Sequence, residues 1–159
     1  MIVSNASPLI VLGKVGQLQL LKACFERIII PPAVVEEVLA QAESAEALAL
    51  RQGIADGWIL TEKVKPLLRT AVMGKGETEA ISLAAKKKYR LLLDDDTAKA
   101  YATLSGVEAH GMLYVLLLAV KKKKISRDEA KDVLQQMILS GFYISTEIYA
   151  RFVDLLESM

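Results

Sequence analysis

An α/β fold, with a parallel sheet between layers of helices, is what this 159-residue sequence predicts. Three observations carry that reading. Short apolar runs recur at Ile2-Val3-Ser4, Arg27-Ile28-Ile29-Ile30, Trp58-Ile59-Leu60 and Leu91-Leu92-Leu93, and such runs suit strands buried on both faces. Segments with helix-opening residues alternate with them, the order expected of βαβ units. No repeat, linker or low-complexity segment interrupts residues 1–159, so one domain is expected.

The elements follow in order. Ile2-Val3-Ser4 is a strand, and Asn5-Ala6-Ser7-Pro8 offers Ser7 as an N-cap with Pro8 in the first turn. A helix over Leu18 to Phe25 precedes the β-branched run that Pro31 ends. Pro32 opens a helix over Ala33 to Ala42, Ser44 to Ile54 is helical by propensity, and Gly57 separates it from the strand Trp58 to Leu60. Thr61 to Gly76 reads as a loop with a helical turn around Pro66 to Thr70, and helix resumes from Glu77 to Lys88. After the Leu91 strand, Asp96 is placed as N-cap of a helix over Thr97 to Leu104 that Gly106 stops. Val107 to Ala109 is a further strand and Met112 to Lys123 a helix. Ser126 with Glu129 forms a capping box for a helix ending at Gly141, and Ser145 caps a last one.

Composition excludes several functions. Twenty Lys and Arg against nineteen Asp and Glu leave a net charge of +1, so no global field marks a polycation that coats DNA. The single cysteine, Cys24, rules out a disulfide scaffold or a cysteine-rich zinc site, and a reducing cytoplasm fits it best. The longest apolar stretch, Met112 to Val120, is far shorter than the roughly 20 residues a membrane-spanning helix needs. No membrane partner is expected, and no basic residue precedes the N-terminal apolar run as a secretory signal would require.

In open parallel sheets, ligands gather beyond the carboxyl ends of the strands. Asn5 and Ser7 follow the first strand, Glu36 and Glu37 lie one turn into the helix after the Ile28 strand, and Asp94, Asp95 and Asp96 follow the Leu91 strand. Three adjacent aspartates repel one another unless solvent, a helix dipole or a cation offsets their charge. Glu37 sits beside Val34 and Val38, whereas Glu36 lies further round the helix. Glu77 and Glu79 point roughly 200° apart on a helix, so both cannot face one site equally well. Glu77 shares a row with Ile81 and Ala84, which suggests an inward carboxylate, although either glutamate is also favourable simply as a first-turn acid. A hard divalent cation takes oxygen ligands from such carboxylates and can activate water against a phosphate. On chemical grounds that is a nuclease.

Other signals are weaker. Gly74-Lys75-Gly76 lacks the remaining residues of a phosphate-binding loop, and His110, the sole histidine, reads as a loop or edge residue. Lys86-Lys87-Lys88 with Arg90, and Lys121 to Lys124, suit helix C-termini by dipole alone. If they border the acidic cleft they could also hold phosphates, with Tyr89 stacking on a base.

The order Asn5-Ala6-Ser7, Pro32-Ala33-Val34-Val35-Glu36-Glu37, Gly76-Glu77-Thr78-Glu79-Ala80-Ile81 and Leu91-Leu92-Leu93-Asp94-Asp95 resembles the PIN-domain superfamily over nearly the whole chain. That superfamily includes the VapC-like toxins of toxin–antitoxin pairs, and Ser7-Pro8-Leu9-Ile10 with Asp94-Asp95-Asp96-Thr97-Ala98-Lys99 is similar to a branch of it. The resemblance implies a three-layer α/β/α sandwich with a central parallel sheet, Mg²⁺ or Mn²⁺ as cofactor, and hydrolysis of RNA, single-stranded or structured, without a covalent intermediate. It implies a catalytic set of Asn5, Ser7, Glu37, Glu77, Glu79, Asp94 and Asp95. Asp95 and Glu37 are the principal metal ligands in that reading, Glu77 or Glu79 completes the site and Asp94 is held in reserve. Asn5 stands where the first aspartate usually does and offers a neutral oxygen without charge, which implies weaker metal binding. A toxin-like ribonuclease with an antitoxin partner, forming a homodimer, is the first functional reading. A PIN-like module that binds nucleic acid or antitoxin without turnover is the alternative.

Overall fold

The computed structural model describes residues 1–67 and 71–159 of the chain. The chain opens with β1 (Ile2–Ser4), α1 (Ala6–Lys14), α2 (Gln19–Phe25), β2 (Ile28–Ile30), α3 (Pro32–Val38), α4 (Ala45–Ala55) and β3 (Ile59–Thr61). It continues with α5 (Lys75–Lys87), β4 (Leu91–Leu92), α6 (Asp96–Leu104), β5 (Ala109–His110), α7 (Met112–Lys121), α8 (Arg127–Leu139) and α9 (Thr146–Glu157). All strand pairs are parallel and run in the order β3-β2-β1-β4-β5. Nine helices among the described residues flank this sheet in the three-layer α/β/α arrangement. β1, β2 and β4 are wholly buried, as their unbroken apolar runs require.

The strand order locates the site. From β1 the chain steps to β2 and β3 on one side, then returns to lay β4 against the other side of β1. Right-handed crossovers therefore put the connections of the two halves on opposite faces, and the chain parts between β1 and β4. The residues that leave those strands, Asn5 and Asp94-Asp95, flank that crevice.

Helix packing holds α1, and with it Asn5, close to the sheet. α1 packs on α4 so tightly that a Cβ on Gly13 would lie 2.7 Å from the backbone Cα of Glu46. α5 packs against β1, β4, α3 and α6, so its first turn meets the end of α3 near the end of β1.

Several boundaries and caps differ from the expectation. The N-cap of α1 is Asn5, not Ser7, and Ser7 is an exposed residue inside the first turn. Asp95, not Asp96, caps α6, its Oδ2 accepting from the Ala98 N–H at 2.8 Å. α3 stops at Val38, four residues short of Ala42. The strand expected at Val107 to Ala109 forms instead at Ala109–His110. The caps at Ser44 and Ser145 and the capping box of Ser126 with Glu129 are as the sequence predicts. The expected helical turn at Pro66 to Thr70 falls largely on residues 68–70, outside the described residues.

Candidate active site

Asn5 follows β1 as a buried polar residue of the crevice. It is 4% exposed, extended in backbone (φ −79°, ψ 175°), and its side chain makes no capping bond to α1. Its Oδ1 is buried without a hydrogen-bond partner among the described residues. A buried, unpaired amide oxygen costs roughly 1–3 kcal/mol, so the position calls for a donor or a cation. Opposite it lies Gly76, in the first turn of α5. A Cβ at Gly76 would sit 3.8 Å from Asn5 Oδ1, 3.5 Å from Glu37 Oε1 and 3.7 Å from Val34 Cγ2. The backbone of Gly76 thus forms a floor between an orphaned amide oxygen and an exposed carboxylate.

Glu77 joins them. Burial pushes its carboxyl above the usual glutamate range, and the negative charges of Asp95 and then Glu37 push it the same way. Three carboxylates from three segments, the end of α3, the start of α5 and the residue N-terminal to α6, therefore share one electrostatic environment. Asp95 commits Oδ2 to the Ala98 N–H, which fixes the carboxylate's orientation, while Oδ1 makes no hydrogen bond among the described residues.

Two of the predicted site residues do other work. Glu79 is 7% exposed and its Oε1 accepts from the Ala33 N–H at 3.3 Å, capping the first turn of α3, for which Pro31 has no side-chain oxygen to offer. It braces α5 against α3 and is turned from the Glu77 cluster by their angular separation on the helix. Asp94 turns toward β5, where its Oδ1 accepts from the Met112 N–H at 2.9 Å and caps α7. Burial raises the Asp94 carboxyl above the ordinary aspartate range against the opposing pull of that N–H and of Lys99. Glu79 and one oxygen of Asp94 are thus engaged by helix starts, while Asp94 Oδ2 stays buried without a hydrogen-bond partner among the described residues, and Glu37, Glu77, Asp95 and Asn5 are brought together. Ser7 stands outside them on the α1 surface, lining a pocket with Lys14 and Tyr143.

The basic runs do not border this cleft. Lys86–Lys88 end the helix that Glu77 begins, and Lys121–Lys124 end the one that Asp94 caps. Nine residues of helix place each run roughly 14 Å along the axis from the acidic end. Lys87 pairs with Glu62 at 2.9 Å, Lys122 donates to the Cys24 carbonyl, and Tyr89 lies at the far end beside Arg90. His110 lies in the edge strand as expected, bonded to Glu108 at 2.6 Å and stacked on Tyr114. Gly76 opens the Gly76-Glu77-Thr78-Glu79 motif, but the sequence gives it no place in the site. The structure starts α5 at Lys75, before the expected Glu77, so Gly76 falls in the first helical turn, where alanine would favour the helix more.

The donors are hard oxygens of the type that Mg²⁺ and Mn²⁺ take. Among the described residues no three His, Cys, Asp or Glu side chains form a ready metal cage, so the carboxylates bracket the space by Gly76 rather than enclose it. The orphaned Asn5 Oδ1 at that space fits a cation, and an ion that keeps several of its waters needs only a few protein ligands.

A family model described as PIN domain (DUF3368) matches residues 1–158. The chain belongs to the PIN-domain family. PIN domains are typically nucleases and generally depend on a divalent metal. No functionally curated protein is detectably similar to this PIN domain in sequence. Among solved structures, it is similar to a PilT N-terminus domain protein from the hyperthermophilic archaeon Sulfolobus solfataricus P2. That match has a TM-score of 0.48 and 16% identity, over 77% of this chain and 93% of that one. Neither activity nor partner transfers at that level of similarity. No described helix of this PIN domain is long and apolar enough to cross a membrane.

Proposed function

We propose that this PIN domain is a Mg²⁺- or Mn²⁺-dependent endoribonuclease, the toxin of a toxin–antitoxin pair. The observation that carries the proposal is the buried, unpartnered Asn5 Oδ1 facing the Gly76 floor beside Glu37, with Glu77 coupled to Glu37 and Asp95. Glu37, Glu77 and Asp95 would hold the ion, and Asn5 would add a neutral oxygen. When bound, such an ion supplies Lewis-acid stabilisation of the phosphate and a more acidic water. Asp95 keeps its orientation through Ala98, and the repulsion that Glu77 feels from Asp95 and Glu37 is what a dication held among the three carboxylates would relieve. Glu79 positions the helix that carries Glu77 and Gly76 by bonding to the start of α3.

A cytoplasmic location agrees with the lone cysteine, which is buried. The antitoxin and a second copy of the chain remain its proposed partners, supported by the exposed apolar Leu139 and Leu155 of α8 and α9.

The test is cleavage of a mixed-sequence single-stranded RNA with Mg²⁺ or Mn²⁺ against chelator, in the parent, Asp95→Asn and Glu37→Gln. Metal-dependent cleavage that both variants lose, with folding retained, is the expected result. Cleavage in chelator, or full activity in either variant, would place the reaction elsewhere. The missing charge at Asn5 and the open ligand set favour one other reading, a PIN domain that binds RNA without turnover. That reading predicts RNA binding in chelator and no cleavage with either metal.

A further inference from the structure

The end of the molecule remote from the acidic site carries a charge that the site does not use. α7 finishes there in four exposed lysines, Lys121–Lys124. They lie against the end of α2, which runs into the start of β2, at the edge of the sheet opposite the carboxyl ends where Asn5 and Asp95 stand. Lys122 donates to the Cys24 carbonyl, and the charges of Lys122 and Lys124 pull the Cys24 thiol down against the burial that raises it. Lys22 and Arg27, both exposed, flank Cys24 in the chain. None of these six cations forms an ion pair among the described residues. Glu26 is the acid of that turn, and the stretch after the lysines, Arg127-Asp128-Glu129, returns a single negative charge. A chain of net charge +1 thus gathers a strongly positive surface in one place.

Helix-end electrostatics does not account for it. The last carbonyls of α7, those of Leu118, Ala119 and Val120, accept from the backbone N–H groups of Lys122, Lys124 and Lys123 at 2.9, 2.8 and 2.9 Å, so they need no ammonium group. That pattern turns the chain at Lys123 with φ +58°, the left-handed position where helices usually place glycine. Lysine is held there against its own backbone preference, and strain of that kind gathers at functional positions. Adjacent ammonium groups also repel one another until an anion lies across them. Residues 22–27 and 121–127 contain one aromatic ring, Phe25, and it is buried, so no face is offered to an unpaired base. No apolar side chain of these segments is exposed to enter a bilayer. A double helix keeps its bases inside and presents rows of phosphates, which flexible point charges such as lysines suit.

We propose that Lys22, Arg27 and Lys121–Lys124 form a docking site for the phosphate backbone of double-stranded RNA, separate from the acidic site and independent of metal. The choice of RNA rests on the ribonuclease reading, so binding is measured apart from cleavage. The intact chain is titrated in chelator with a fluorescein-labelled RNA hairpin whose stem has about 16 base pairs, the span of a duplex-binding module, over a range of salt concentrations. Lys121→Gln with Lys124→Gln, which leaves the Lys122 bond in place, should weaken binding at least about tenfold at low salt and lower the salt slope by about two. Lys123→Gly should melt about 2 °C higher, because it relieves the left-handed turn, and yet lower the slope by about one. If it melts lower instead, the double variant alone decides. Lys63→Gln with Lys65→Gln removes the same charge from the exposed loop after β3 and should change affinity less than about twofold. An equal loss there would reduce the effect to net charge and overturn the site. So would unchanged affinity in Lys121→Gln with Lys124→Gln, or an unpaired strand of the same length bound as tightly as the hairpin. Lysine-dependent binding to vesicles of equal parts phosphatidylserine and phosphatidylcholine, with none to the hairpin, would assign the surface to a membrane and overturn it as well. Lysine-dependent hairpin binding without cleavage in Mg²⁺ or Mn²⁺ would sink the ribonuclease reading and leave the docking site standing. Metal-dependent cleavage with hairpin binding that ignores these lysines would do the reverse.

Discussion

Replacing Gly76 by alanine should make the protein more stable and less able to hold a metal. The added methyl would lie 3.5 to 3.8 Å from Glu37 Oε1, Val34 Cγ2 and Asn5 Oδ1, which is ordinary van der Waals contact, so nothing has to move. Gly76 lies inside the first turn of α5 with no positive φ, where alanine is worth about 0.5–1 kcal/mol over glycine. Crowding the two oxygens opposes that gain, which leaves a net stabilisation of about 0.5 kcal/mol. For a chain of this size each kcal/mol moves the melting temperature by roughly 2–4 °C, so a rise of about 1–2 °C is expected in chelator. The same methyl takes up the space between Asn5 Oδ1 and Glu37 Oε1. Mn²⁺ affinity should therefore fall at least about tenfold, equivalent to about 1.4 kcal/mol. Calorimetric titration with Mn²⁺, thermal melts with and without the metal, and RNA cleavage read the two effects separately. A variant that melts lower in chelator would mean that the space beside Gly76 is not open. One that binds Mn²⁺ and cleaves RNA like the parent would mean that no ligand sits there.

Glu79→Ala should lower stability by about 1–3 kcal/mol in urea denaturation, because it leaves the Ala33 N–H at the start of α3 unpaired. Its melting response to Mn²⁺ should match the parent's, and loss of that response would return Glu79 to the metal site. Glu77→Gln should stabilise the metal-free protein at neutral pH, and the gain should vanish in acid. The Glu77 carboxyl is raised in the folded state, so the unfolded chain loses its proton first as pH climbs past the ordinary 4.5. Stability therefore falls with rising pH across the window between the two values and stays lowered above it. Because the group is half-buried and screened, the gain should be below about 1 kcal/mol, and a gain that persists in acid well below the ordinary glutamate range would assign it to packing instead. Asn5→Asp should melt lower in chelator through repulsion by its acidic neighbours, and recover with a larger Mn²⁺ response than the parent. An unchanged response would place Asn5 away from the metal.

Interactions a few residues long are legible in the sequence itself. Ser44, Ser126 with Glu129, and Ser145 cap their helices within one turn, and the Ile28 and Leu91 runs form the buried strands that their composition predicts. The order of four motifs is specific enough to indicate the family, and with it the neighbourhood of Asn5, Glu37, Glu77 and Asp95. Helix periodicity shows that Glu77 and Glu79 must part company and, from the row with Ile81 and Ala84, suggests Glu77 as the inward one, yet Glu79 is the more deeply buried, so burial and facing the site are separate matters. Which of them faces the site depends on α3 packing beside α5, because the Ala33 N–H at the start of α3, 46 residues from Glu79 in sequence, claims the second glutamate. One oxygen of Asp94 is claimed in the same way by the start of α7, 18 residues further on, while the other stays without a partner among the described residues. Strand order and the Gly76 floor are likewise tertiary facts. A backbone N–H in need of an acceptor takes whichever oxygen the fold brings within reach, and sequence spacing alone does not encode that proximity.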